Sequence, residues 1–178
     1  MIDFNSLNPK KTYLGLQYGK SFVAKKIVKY SKIYAPNSEK IPTHVFALIF
    51  CYGNWRIYES HLKAYKKQGV PSGVRRYKSA KWLEIEQNNL NEFEAVEYHF
   101  SRKLLEEFIG QSYGLGDIKA LMGAALLKNN GEQKDRQGLI CSEYLALADK
   151  GQICNFSGLK PHCITPAHFQ NFLDVQKG

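Results

Sequence analysis

Three residues in this chain carry the chemistry of acyl transfer: Cys141, His44 and Glu59. A thiol near neutral pH is mostly protonated, and its thiolate is the nucleophile. A helix N-terminus and a neighbouring imidazole both favour that anion. Cys141 follows the apolar step Leu139-Ile140 and meets a helical pattern over Ser142–Lys150, with Gly151 as its C-terminal stop. His44 begins the run Pro42-Thr-His-Val-Phe-Ala-Leu-Ile-Phe-Cys51, whose β-branched and aromatic content predicts a buried strand. Glu59 lies on Trp55-Arg-Ile-Tyr-Glu-Ser-His61, the returning strand of a hairpin that turns at Tyr52-Gly53-Asn54. A carboxylate bonded to one imidazole nitrogen fixes the ring and leaves the other for the thiol.

Whether Glu59 reaches His44 depends on the register. A turn centred on Tyr52-Gly53 sets position 46 opposite position 59, so that His44, Phe46 and Glu59 share one face. His44 is then diagonal to Glu59, about 7–8 Å away at the backbone and within reach of a long side chain. A turn centred on Gly53-Asn54 moves Glu59 opposite Leu48, too far from His44.

The elements around this hairpin are mixed. Ser21–Tyr34 reads as a helix with Ser21 as N-cap, Val23, Ile27 and Tyr30 on one face, and Pro36 after its end. Trp82 to Glu86 and Phe93 to Phe100 are expected as a third and a fourth strand. Ser101 caps a helix over Arg102–Ile109, and Asp117 caps one in which Ile118, Leu121, Met122, Ala125 and Leu126 share a face. Thr165-Pro166 opens a last short helix. Strands and helices do not alternate as in a parallel sheet, so the expected class is α+β in a single domain, 1–178.

Pro-Thr-His44-Val, Ile-Tyr-Glu59-Ser and Leu-Ile-Cys141-Ser-Glu143-Tyr together resemble the permuted papain-like cysteine hydrolases, in particular the YiiX/YebB-like family of the NlpC-like superfamily. In that family, too, the histidine precedes the cysteine, and Ile-Thr-Pro-Ala-His-Phe resembles its closing segment. The resemblance covers roughly residues 14–170. It implies a circularly permuted papain-like fold, a small antiparallel sheet carrying His44 and Glu59 against the helix carrying Cys141. It implies a peptidase- or amidase-type hydrolase with Cys141 as nucleophile, His44 as base and Glu59 orienting it. The Cys141 backbone N–H would serve the oxyanion, with Tyr113, Ser142 and Trp82 as oxyanion or substrate-binding candidates and Gln17 as a further oxyanion candidate. Glu143 matches the family motif, in either a structural or a catalytic role. The run Tyr113-Gly-Leu-Gly-Asp117 is longer than the family spacing, and Leu14-Gly-Leu-Gln17 stands where the family opens on Gly-Asp.

Composition frames the alternatives. The net charge is +9, and residues 1–40 hold eight lysines against Asp3 and Glu39, while seven acids crowd 84–107. A basic helix over Lys20–Lys32 suits an anionic surface, and with Tyr13, Tyr18, Tyr30 and Tyr34 interleaved it also suits a nucleic-acid-binding module. A lipid-directed thiol acyltransferase or thioesterase would share the acyl-enzyme chemistry. The expected substrates are peptides, amides or lipid esters, with no cofactor. Cys154, His162, Cys163 and His168 fit no compact zinc pattern, so no metal is expected, and His61 and His99 read as surface or strand residues. The sequence shows no signal-peptide pattern and no apolar run of membrane-spanning length, which predicts a cytoplasmic protein of bacterial or phage type.

Overall fold

In the computed structural model, which describes residues 1–87, 89–114 and 138–177, the hairpin forms in the first of the two registers. Strands β2 (His44–Cys51) and β3 (Asn54–His61) pair Ala47 with Tyr58 and Cys51 with Asn54. Tyr52 and Gly53 both take positive φ, 51° and 71°, the two-residue turn whose twist matches that of the flanking strands. Two further strands flank this pair. β1 (Thr12–Tyr18) runs antiparallel beside β2, and β4 (Gly73–Lys78) runs antiparallel beside β3. With β5 (Glu92–Glu97) on the far side of β1, the order is β4-β3-β2-β1-β5.

Three expectations change here. The expected strand over Trp82–Glu86 is instead part of helix α2 (Ser79–Glu86), which buries Trp82, Ile85 and Glu86 at i, i+3 and i+4. The expected strand over Phe93–Phe100 is shorter, ending at Glu97. β1 and β4 are strands that the sequence pattern did not predict. β4 carries Arg75, Arg76 and Lys78, the charged composition typical of a sheet edge. β1 holds Gly15 because Phe46 lies across it: a Cβ at Gly15 would stand 2.2 Å from the Phe46 ring. The helix expected from Asp117 and the polar stretch 128–137 lie outside the described residues.

Each face of the sheet has its own core. One face buries Leu14, Leu16, Val45, Ala47, Ile49 and Tyr58 against α3 (Arg102–Glu107), α4 (Cys141–Ala148), α5 (Gln152–Ser157) and α6 (Pro166–Lys177). The other buries Tyr13, Phe46, Leu48, Trp55 and Ile57 against Trp82 of α2 and the N-terminal segment around Ile2 and Phe4. The result is a mixed α+β fold, a small antiparallel sheet packed against helices. Helix α1 (Phe22–Ser31), capped by Ser21 through its hydroxyl to the Ala24 N–H (3.1 Å), leaves β1 at the His44 end of the sheet. No helix among the described residues is long and apolar enough to cross a membrane.

Candidate active site

Cys141 is the first residue of α4, and Ile140 before it is extended (φ −81°, ψ 166°). The thiol therefore sits at the positive end of the helix dipole. Three bonds seat this helix: Ser60 Oγ donates to the Leu139 carbonyl, Ser142 Oγ to the Ile164 carbonyl (2.6 Å), and Tyr144 OH to the Leu105 carbonyl (2.8 Å). The first of these ties the cysteine's approach directly to β3. α4 packs on β2 and β3, and the Val45 and Ser142 backbone N–H groups favour the Cys141 thiolate.

His44 opens β2 on the opposite face, stacked toward Phe46 with ring centroids 6.2 Å apart. Its Nε2–H donates to Glu59 Oε2 at 2.8 Å, across the diagonal that the hairpin register creates. Its other side lies near Cys141, close enough for each group to act electrostatically on the other. All three side chains are buried. Burial alone would favour a neutral imidazole, but the Cys141 thiolate and the Glu59 carboxylate outweigh it and raise His44 from 6.5 to about 10. Burial would likewise raise the thiol, and the His44 charge and hydrogen bond outweigh that, holding Cys141 below its ordinary value. Imidazolium and thiolate are thus the favoured pair.

Glu59 is itself anchored by residues that the sequence pattern did not reveal. Arg75, directly across β3–β4 from Glu59, donates to Oε1 through Nε (2.8 Å) and Nη2 (2.5 Å). Tyr77 OH donates to the same oxygen at 2.5 Å. Arg75 Nη1 also binds the Lys63 and Pro71 carbonyls at 2.7 and 2.6 Å, pinning the connection before β4. Burial would push the carboxyl up, yet His44 and Arg75 together hold it well below the usual carboxylate range. Burial and the Glu59 charge push the Tyr77 phenol up, so it stays a donor. The sequence signal was present only as a charged alternation over Val74-Arg-Arg-Tyr77, meaningful once β4 is known to pair with β3.

His61, expected as an ordinary surface or strand residue, stands edge-on to His44 with centroids 4.9 Å apart. Its Nδ1 accepts from the Lys63 N–H at 2.9 Å. Burial lowers it to about 4, so it is neutral and packs beside the charged ring. Gln17 pairs directly with His44 across β1–β2 and shares its face.

The remaining candidates separate. Trp82 is a core residue of α2, 2% exposed, in ring contact with Phe4, Phe46 and Phe93. It supports Phe46 from beneath. The Ser142 hydroxyl is fully buried and committed to Ile164; only its backbone N–H faces the thiol. Tyr113 is half-buried against Gly138, in a segment joined to the cysteine's approach by the Leu139 N–H to Ser112 carbonyl bond (2.9 Å). His168 accepts from the Thr165 N–H (3.0 Å) and stacks on Tyr34 at 4.5 Å. Among the described residues no group of three or more His, Cys, Asp or Glu is arranged around a metal position.

Comparison of the chain with protein-family models and with curated proteins finds no match.

Proposed function

We propose that this protein is a cysteine hydrolase of peptidase or amidase type, working through an acyl-enzyme on Cys141. The observation that carries the reading is one buried imidazole hydrogen-bonded to a buried carboxylate, with a helix-terminal thiol near enough for the two to shift each other's acidity. The thiolate of Cys141 attacks a substrate carbonyl, forming the C–S bond and a tetrahedral oxyanion. The Cys141 N–H at the start of α4 donates to that oxygen. The adduct collapses as the imidazolium of His44 gives its proton to the leaving nitrogen or oxygen, breaking the scissile bond and leaving a thioester. His44, now neutral, takes a proton from water as that water attacks the thioester, and the thiolate returns with release of the acid. Glu59 keeps the ring in the tautomer these steps require, and Arg75 and Tyr77 keep Glu59 in place.

The finer architectural reading, a circularly permuted papain-like fold of the YiiX/YebB-like kind, belongs to the same proposal. Its support is the chain order His44, Glu59, Cys141 together with a cysteine helix packed on the sheet that bears the histidine. A thiol acyltransferase would share every step up to the thioester and differ in the nucleophile that discharges it.

The test is intact-mass detection of adducts with iodoacetamide and with acyl-transfer probes, comparing the native chain, Cys141→Ser and His44→Asn. Fast modification confined to Cys141 and slowed by His44→Asn is expected. Equal modification of Cys51, Cys154 and Cys163, with no preference for Cys141, would overturn the mechanism.

A further inference from the structure

Helix α1 buries one side and leaves the other uncovered. Ala24 is buried, and Val28 packs inward toward Ala35, Ile41 and Ala167. The outward stripe, at spacing i, i+3, i+4 and i+7, is Phe22, Lys25, Lys26 and Lys29, and Ile33 continues it one turn further. Phe22 is 72% exposed and Ile33 55%, so two large apolar side chains bracket three exposed lysines. The bracket spans about 16 Å along the helix direction. Lys20 and Lys40 are drawn to Glu92, each at 3.1 Å, whereas Lys25, Lys26 and Lys29 form no ion pair among the described residues. Lys26 Nζ rests 4.7 Å from the Phe22 ring centroid.

We infer that this stripe is a docking surface for an anionic lipid bilayer. Lysines meeting phosphate oxygens while flanking apolar side chains enter the acyl boundary is the energetics of an interfacial helix. A nucleic acid would reward the lysines but not Ile33, which has no π face to stack. Three of the four tyrosines that suggested a nucleic-acid platform are also spent. Tyr13 and Tyr18 are buried, Tyr18 bonding Glu94 and Gln170 at 3.1 Å, and Tyr34 is stacked on His168.

The location matters for the site. Gln17 pairs with His44, the Gly19 N–H donates to Thr43 Oγ1 (3.0 Å), and α1 begins three residues later. Docking through α1 therefore holds the His44 end of the sheet close to the bilayer. The surface is independent of the proposed thiol chemistry, so the two readings stand or fall separately.

The experiment is co-flotation of the full chain, native and Cys141→Ser, with vesicles of pure phosphatidylcholine and of a phosphatidylcholine–phosphatidylserine mixture at low and high salt. Both proteins should float with the anionic vesicles, and much less with the neutral ones or at high salt. Each surface lysine contributes roughly a five-fold factor, so the triple variant Lys25→Gln, Lys26→Gln, Lys29→Gln should bind roughly 100-fold more weakly. Phe22→Ser and Ile33→Ser should each weaken binding while keeping the salt dependence, and thermal unfolding of each variant monitors the fold. Equal flotation with both compositions, or unchanged binding of the triple variant, would overturn the inference. Preferential binding of a fluorescent oligonucleotide that vesicles fail to displace would replace it with a nucleic-acid surface.

Discussion

Glu59→Gln isolates the charge of the buried carboxylate with little change in shape. In the native protein, Glu59 accepts four hydrogen bonds: from His44 at 2.8 Å, Arg75 at 2.8 and 2.5 Å, and Tyr77 at 2.5 Å. An attraction between unit charges about 4 Å apart, at the effective dielectric of a protein, is about 4 kcal/mol, or roughly three decades in an acid constant. The His44 imidazole should therefore fall well below its native value. The substituted amide also turns an N–H toward His44 Nε2 if its oxygen stays on Arg75. That forces the imidazole proton onto the nitrogen facing Cys141, where it can no longer accept the thiol proton. A wrong tautomer of this kind costs about 10⁴-fold in turnover. Breaking the buried Glu59–Arg75 pair costs about 3–5 kcal/mol, reduced by the hydrogen bond that the amide oxygen still accepts. The assay is the rate of iodoacetamide alkylation at Cys141 across pH, followed by intact mass, beside a urea unfolding curve. Alkylation near neutrality should slow sharply, with the whole profile moved toward that of an ordinary thiol. An unchanged rate–pH curve in a folded variant would refute the coupling of Glu59 to the thiol.

Four other outcomes follow from the same geometry. Arg75→Met removes the counter-charge of a carboxylate that is itself 3% exposed and should destabilise the fold by about 3–5 kcal/mol in urea, with Arg75→Lys recovering only part because it lacks the fork. A loss below about 0.5 kcal/mol would show that the pair does not hold Glu59. Gly15→Ala places a methyl 2.2 Å from the Phe46 ring, so a loss of about 1–3 kcal/mol and a displaced His44 imidazole resonance are expected, against a native-like melt if the ring can simply move. Cys141→Ala removes the largest influence raising His44, so NMR titration of the imidazole should show it well below about 10; titration still near that value would refute the ion pair. Stability against pH should be a plateau with two falling sides. His44 is raised, so its contribution is present below 6.5 and lost as the pH climbs through about 10. Cys141 is lowered, so its contribution is present above 9.0 and lost as the pH falls through its folded value. Where the two windows overlap, the folded ion pair and the unfolded neutral pair bind equal numbers of protons and the slopes cancel. A steady slope across neutral pH that Cys141→Ala leaves unchanged would contradict this.

The sequence by itself determined the local pieces. Ser21 and Ser101 each cap a helix through the hydroxyl, because an N-cap needs only an oxygen within three residues of an orphan N–H. The β2–β3 hairpin was also legible, but its register was not: the sequence allowed turns at Tyr52-Gly53 and at Gly53-Asn54, and the structure takes the first, which puts Glu59 diagonal to His44. The step Leu139-Ile140 into a helical pattern likewise placed Cys141 at a helix start. The tertiary structure decided what long-range pairing controls. Whether Trp82 belongs to a strand or a helix depended on which surface would bury it, and the Phe46 face accepted it at helical spacing. Arg75 gains meaning only when β4 lies beside β3, sixteen residues from Glu59 in the chain and directly opposite it in the sheet. The nearness of Cys141 to His44, far apart in sequence, depends on the seating of α4 by Ser60, Ile164 and Leu105. Periodicity and caps are properties of neighbouring residues and can be read along the chain. A hydrogen bond between distant side chains depends on the packing of everything between them, and no local pattern encodes it.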